Sequence, residues 1–159
     1  MLSKRKSNRL ADYDYSQPGA YFITVYTKNR QCILSTIVGG DAHIAPNIAL
    51  TPSGSVVERY LRTIPGIGEY VIIPNHVHLI LRISANNILQ GPMWASAPTD
   101  TSVSNLIRSF KTLVSKELGR SIWQRSFYDH IIRDEQDYLV KSEYIATNPA
   151  RWQEDEYFG

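Results

Sequence analysis

The sequence predicts an α+β sandwich of ferredoxin-like or RRM-like type, with helices packed on a mostly antiparallel sheet. Three observations carry that expectation. Runs rich in β-branched and aromatic residues alternate with stretches of 3.6-residue apolar period, in the order β(β)αββαβα. Two of the strand-like runs are separated only by Pro74-Asn75, so they must close as a tight hairpin and pair antiparallel. The chain of 159 residues, 43% hydrophobic and 20% charged, is the size and composition of one globular domain able to bury a core.

The elements follow in order. Residues 1–19 read as a basic polar arm ending in the turn Ser16-Gln17-Pro18-Gly19, whose residue types set turn dihedrals. Tyr21 to Thr27 is dense in side chains that suit a pleated surface packed on both sides, and is expected as a strand. Cys32 to Val38 is a weaker strand broken by Gly39-Gly40, and residues 41–50 carry no periodic signal. Thr51-Pro52-Ser53-Gly54 opens a helix in which Val56, Val57, Tyr60, Leu61 and Ile64 recur at i, i+3/4 until Pro65-Gly66 stops them. Tyr70 to Ile73 and His76 to Ile83 are the hairpin strands. Residues 84–101, rich in Ser, Asn, Gly and Pro but holding Trp94, read as a surface loop.

Val103, Leu106, Ile107, Phe110, Leu113, Val114 and Leu118 form one helical stripe, with Arg108, Lys111 and Ser115 on a different face and Gly119 at the end. Phe127 to Arg133 reads as a strand, and Asp134 to Asn148 as a helix capped by Asp134 and terminated by Pro149. The domain proper is then 20–149, between the arm of 1–19 and a tail of 150–159.

Composition excludes several classes. One cysteine, Cys32, rules out an internal disulfide framework and the multi-cysteine zinc folds. No apolar run suits a secretory signal, and Val71 to Ile83 is broken by Pro74, Asn75, His76 and His78, so a cytoplasmic protein with no membrane partner is expected. The formal charge is only +2, but Lys4, Arg5, Lys6 and Arg9 stand before the first acid, Asp12.

Three constellations could carry chemistry. In His76-Val77-His78 the strand alternation puts both imidazoles on one face, where two ligands can grip one metal ion; the plain alternative is polar sheet surface. His43 and His130 have no partner motif and read as surface or core-edge residues. Tyr144 and Asn148 are i, i+4 neighbours at the end of the last helix, so a phenol and an amide point together; taken alone, this is also an ordinary helix end. The arm's Lys4, Arg5, Lys6 and Arg9, with Arg108 and Lys111, suit phosphates, and Trp123-Gln124-Arg125-Ser126-Phe127-Tyr128 sets aromatics beside Arg125, which suits nucleobase stacking or a core edge equally.

These residues together carry a resemblance. Asn8-Arg9-Leu10 with Asp12-Tyr13-Asp14-Tyr15-Ser16, then Gly19-Ala20-Tyr21-Phe22-Ile23-Thr24, Pro74-Asn75-His76-Val77-His78-Leu79, Phe110-Lys111, Ile122-Trp123-Gln124-Arg125, Tyr128-Asp129-His130-Ile131-Ile132-Arg133 and Tyr144-Ile145, Asn148-Pro149 and Trp152 resemble the single-tyrosine HUH transposases, above all the REP-associated tyrosine transposases. The match runs in order from arm to tail. It departs at Ile73, where methionine is usual, and residues 37–48 and 86–99 match no part of the pattern.

The resemblance implies that His76, His78 and Asn148 hold a divalent cation, Mg²⁺ or Mn²⁺, and that Tyr144 is the nucleophile. It implies cleavage and rejoining of single-stranded DNA through a 5′-phosphotyrosine, beside a hairpin gripped by Lys4, Arg5, Lys6 and Arg9, by a monomer or a homodimer. Imidazole favours Mn²⁺, whereas Mg²⁺ prefers oxygen ligands. Tyr138 is the fallback nucleophile, with Ser142 as a poorer +4 ligand. Two rivals stand beside this reading: a non-catalytic RRM-like module that binds single strands, and a metal-dependent hydrolase in which Tyr144 is a bystander.

Overall fold

The computed structural model describes residues 19–38, 47–83 and 103–151. The arm with Lys4, Arg5, Lys6 and Arg9, His43, the loop with Trp94 and the tail from residue 152 lie outside the described residues. Six strands and three α-helices follow along the chain: β1 (Gly19–Tyr26), β2 (Ser35–Val38), β3 (Asn47–Leu50), α1 (Pro52–Leu61), β4 (Ile67–Ile73), β5 (His76–Ile83), α2 (Val103–Leu118), β6 (Tyr128–Ile132) and α3 (Glu135–Arg151). A short 3-10 turn, Lys28–Arg30, follows β1.

The main sheet has the order β4-β5-β1-β6, antiparallel throughout. With α1 and α2 as the crossovers this is the ferredoxin-like βαββαβ arrangement that the sequence predicts. Side-chain alternation splits β1 and β5 between two layers. Tyr21, Ile23 and Val25 with Val77, Leu79 and Leu81 pack under Val57 and Leu61 of α1 and Leu106, Ile107, Phe110 and Val114 of α2. Phe22 and Ile80, with Val71 and Ile73 of β4, face the other way and meet Ile145 of α3. Both faces being covered, every residue from Tyr21 to Tyr26 is buried.

Local chemistry sets the boundaries. Thr51 Oγ1 accepts from the Gly54 N–H (3.0 Å) with Pro52 at the first helical position, which caps α1. Gly54 is required there, because a Cβ would collide with the Leu34 carbonyl. Asp134 Oδ1 accepts from the Asp137 N–H (2.8 Å) and caps α3 as expected.

The structure corrects the sequence reading at four places. β4 starts at Ile67, before a register shift between Ile67 and Tyr70, and β2 starts only at Ser35. β3 had no sequence signal; it pairs only with β2 and is half exposed, so no alternating apolar pattern marks it. Pro149 does not end α3, which continues to Arg151. The proline forfeits one N–H near the helix end, while its φ suits the helix, and the burial of Ile145 and Asn148 on the sheet holds that turn in place. Among the described residues no helix is long and apolar enough to cross a membrane.

Candidate active site and nucleic-acid interface

The Pro74-Asn75 turn starts β5 directly with His76, and the register sets His76 opposite Tyr26 and His78 opposite Thr24 on β1. Both rings lie on the α3 side of the sheet and are almost wholly buried. Their Nε2 atoms face each other at 3.1 Å. The outer nitrogens are held: His76 Nδ1–H donates to Asn75 Oδ1 (2.6 Å), and His78 Nδ1 lies 2.8 Å from Thr24 Oγ1. Because a threonine hydroxyl can donate or accept, two proton arrangements satisfy the pair. In one, Thr24 donates to His78 Nδ1 and His78 Nε2–H donates to His76. In the other, Thr24 accepts from His78 Nδ1–H, and both Nε2 lone pairs are aimed into the same space. The second is the tautomer that second-shell partners impose on metal-binding histidines.

Burial keeps both rings neutral. It pushes the His76 pKa down to about 4, helped by the positive charge of Arg30. It holds His78 well below the usual histidine value, with the neighbouring His76 adding to the effect. Neutral imidazole is the ligating form, so no proton competes with a cation at pH 7.

α3 brings Tyr144 to this pair and carries Asn148 one turn beyond it. The Tyr144 ring lies 5.2 Å from the His78 ring at 69° and 5.9 Å from Phe22, edge-on to both. Asn148, one turn further along the same helix face, is buried, and its Oδ1 has no hydrogen-bond partner. A buried amide oxygen without a partner costs about 1–3 kcal/mol. By donor chemistry, two inward Nε2 atoms and an unpartnered amide oxygen are neutral N/O groups of the kind a divalent cation takes. Among the described residues no third His, Cys, Asp or Glu joins them. Tyr138, by contrast, donates its hydroxyl to Glu69 (2.7 Å) under the Arg82 guanidinium, and His130 bonds Asp137 (2.8 Å); neither is turned to the histidine pair.

On the opposite layer an open groove runs along α2. Lys28, Arg30, Arg108, Lys111, Lys116, Arg120 and Arg125 line it, with no Asp or Glu among its lining residues. The structure thus gathers the predicted Arg108, Lys111 and Arg125, and adds Lys28, Arg30, Lys116 and Arg120, which are scattered along the sequence without a motif. Lys111 has a structural task as well: its Nζ donates to the Gln124 and Ser126 carbonyls (2.8 and 3.0 Å), which pins the segment where Ser126 adopts a φ of 75°. Trp123 is a core residue, 5% exposed against Phe110, so its indole is no stacking platform. Of that aromatic run only Tyr128 stands outward.

No sequence-family model matches the chain. It is 32% identical, over 99% of its length and 94% of the relative's, to an uncharacterized protein of Haemophilus influenzae. It is 27% identical to a REP-associated tyrosine transposase of Escherichia coli, over 86% of this chain and 70% of that one. Among solved structures, a REP-associated tyrosine transposase bound to a REP hairpin has the same fold, with a TM-score of 0.60 and 22% identity over 95% of this chain and 74% of that chain.

Proposed function

Because the chain belongs to the family of REP-associated tyrosine transposases, we propose that it cleaves and rejoins single-stranded DNA beside a hairpin, through a 5′-phosphotyrosine formed at Tyr144. The observation that carries this reading is the packing of the Tyr144 ring on His78, whose Nε2 faces that of His76. His76, His78 and Asn148 would hold Mg²⁺ or Mn²⁺. Bound there, the cation supplies positive charge that polarises the scissile phosphate and stabilises the departing oxygen.

The chain's own residues do the rest. Tyr144 Oη forms a bond to phosphorus as the bond to the 3′-oxygen breaks, giving a phosphotyrosine and a free 3′-hydroxyl. A free phenol has a pKa near 10, so the proton leaves as the oxygen attacks, and the leaving oxygen gains one, so charge and atoms balance. The diester bond is exchanged rather than hydrolysed, and a 3′-hydroxyl can reverse the step to rejoin strands. Asn75 and Thr24 orient the imidazoles, and Phe22, in contact with both His78 and Tyr144, sets the phenol's approach. The cations along α2, with the arm's Lys4, Arg5, Lys6 and Arg9, supply the phosphate contacts for a hairpin stem.

The test uses the full chain, Mn²⁺ and labelled single-stranded oligonucleotides carrying an imperfect hairpin and a flank. Wild type is expected to form a denaturant-resistant protein–DNA adduct, and Tyr144→Phe none while still binding the DNA. Cleavage without an adduct would favour the hydrolase, and binding without cleavage by wild type the RRM-like module; either result overturns the proposal.

A further inference from the structure

The sheet's open edge carries an aromatic step that the chemistry above leaves unused. Tyr128 begins β6 and stays 43% exposed, a large ring held in solvent. The register puts it opposite Thr24, which is itself opposite His78, so all three share the face that bears the site. Its ring meets the Tyr26 ring edge-on at 5.3 Å, and Tyr26 lies 5.5 Å from the His76 ring. The rings therefore descend from solvent to the histidine pair in two steps, no more than about three nucleotides of stacked strand at 3.4 Å each.

A cation stands at the same place. The Arg30 guanidinium lies 5.2 Å over the Tyr26 ring, and Arg30 also lines the end of the basic groove. The turn that carries it is strained: Asn29 and Arg30 have φ of 55° and 54°, a conformation that non-glycine side chains rarely adopt. The backbone bonds Arg30 N–H to Thr27 O and Gln31 N–H to Lys28 O hold it. Arg30 thus joins the groove lining to the Tyr26 ring, which in turn contacts both the exposed Tyr128 ring and the His76 ring.

We infer that Tyr128 is a stacking platform for an unpaired nucleobase of the single strand that enters the site, with Arg30 contacting that strand's phosphate. An exposed π-face with a neighbouring cation at the Tyr26–Tyr128 step matches a base with its phosphate. The occupant is a nucleotide of the substrate strand, because Tyr26, which packs on Tyr128, contacts both the groove residue Arg30 and the His76 ring. The inference rests on the proposed reading of the site.

The probe is a set of hairpin-flank oligonucleotides with 2-aminopurine at successive flank positions, bound to full-length Tyr144→Phe so that no cleavage occurs. Quenching is expected at one or two positions next to the scissile phosphate. It should be lost on adding Tyr128→Leu and kept with Tyr128→Trp. In the Tyr144 background, Tyr128→Leu should raise the KM for adduct formation about 10–100-fold, the range of one lost base stack, while kcat stays within about twofold. Tyr128→Leu with wild-type quenching and KM would overturn the inference. Failure of wild type to form any adduct would sink the transposase reading instead, and the quenching experiment would still decide whether the platform exists. A thermal melt of Tyr128→Leu checks that the exposed substitution leaves the fold intact.

Discussion

The two faces of the main sheet are built from the same strands and do opposite things. On the face under α1 and α2, the inward residues of β1 and β5 are Tyr21, Ile23, Val25, Val77, Leu79 and Leu81, packed in one continuous apolar cluster. On the α3 face, the alternate positions of the same strands hold Thr24, His76 and His78, and α3 adds Asn148 with a buried oxygen that no partner satisfies. A period of two is enough to separate stability from chemistry: one face supplies burial, and the other carries the desolvated polar groups that burial makes affordable. Substitutions on the two faces should therefore fail in different ways.

The largest effect is expected on the apolar face. Phe110 is fully buried against Trp123 and the sheet, so Phe110→Ala should cost about 3–5 kcal/mol of stability. In a domain of this size that lowers the melting temperature by roughly 10 °C. A loss below about 1 kcal/mol in urea unfolding would mean that this face is not the main source of stability.

Acid should act on the other face. His76 is held at about 4, below its unfolded value near 6.5, and His78 is also depressed. The unfolded chain then binds more protons, so these rings cost no stability above pH 6.5 and destabilise the fold as pH falls from 6.5 through 4. For His76 alone the change amounts to about 3 kcal/mol. Urea midpoints measured across that range on metal-free protein should fall, and His76→Gln should flatten the slope by up to about one proton. An equal slope in both proteins would show that the ring is not buried neutral.

The two faces also differed in how much the sequence disclosed. β5 and α2 match their predicted spans, because a period-two run after Pro74-Asn75 and a seven-residue helical stripe are strong local signals. The His76/His78 and Tyr144/Asn148 spacings were each legible but ambiguous, only the family resemblance joined them, and the fold brings the phenol ring onto His78. What stayed hidden depends on register rather than local pattern. Thr24 becomes the partner of His78 only once β1 is aligned with β5, and Lys28, Arg30, Lys116 and Arg120 become one groove only when α2 meets the end of β1. β3 was silent because a half-exposed edge strand needs no apolar alternation, and Pro149 misled because packing on the sheet outweighed a weak local breaker.

A smaller and more discriminating effect is expected at Asn148. Leucine is close to asparagine in shape and removes the unpartnered oxygen, so Asn148→Leu should stabilise metal-free protein by about 1–2 kcal/mol. The same change takes away the proposed metal donor, so any rise in melting temperature with Mn²⁺ should be smaller than in wild type. A variant less stable than wild type without metal, and equally stabilised by Mn²⁺, would remove Asn148 from the donor set.

The smallest effect should come from Asp134, which lies outside both faces but governs one of them. Its carboxylate accepts from the Asp137 N–H at the start of α3, and Asp134→Ala should cost about 1 kcal/mol, as for other helix caps. α1 and α2 form their own core with the sheet, so loosening the first turn of α3 should leave them packed. Tyr144 and Asn148 lie more than two turns further along and are held by the burial of Ile145 against Val71, Ile73 and Ile80. Hydrogen exchange should therefore quicken at residues 135–138, with the amides of α2 and of residues 144–148 unchanged. Exchange that quickened along the whole of α3 would mean that the helix is hinged at its cap, and that the chemical face is held by one carboxylate rather than by its packing.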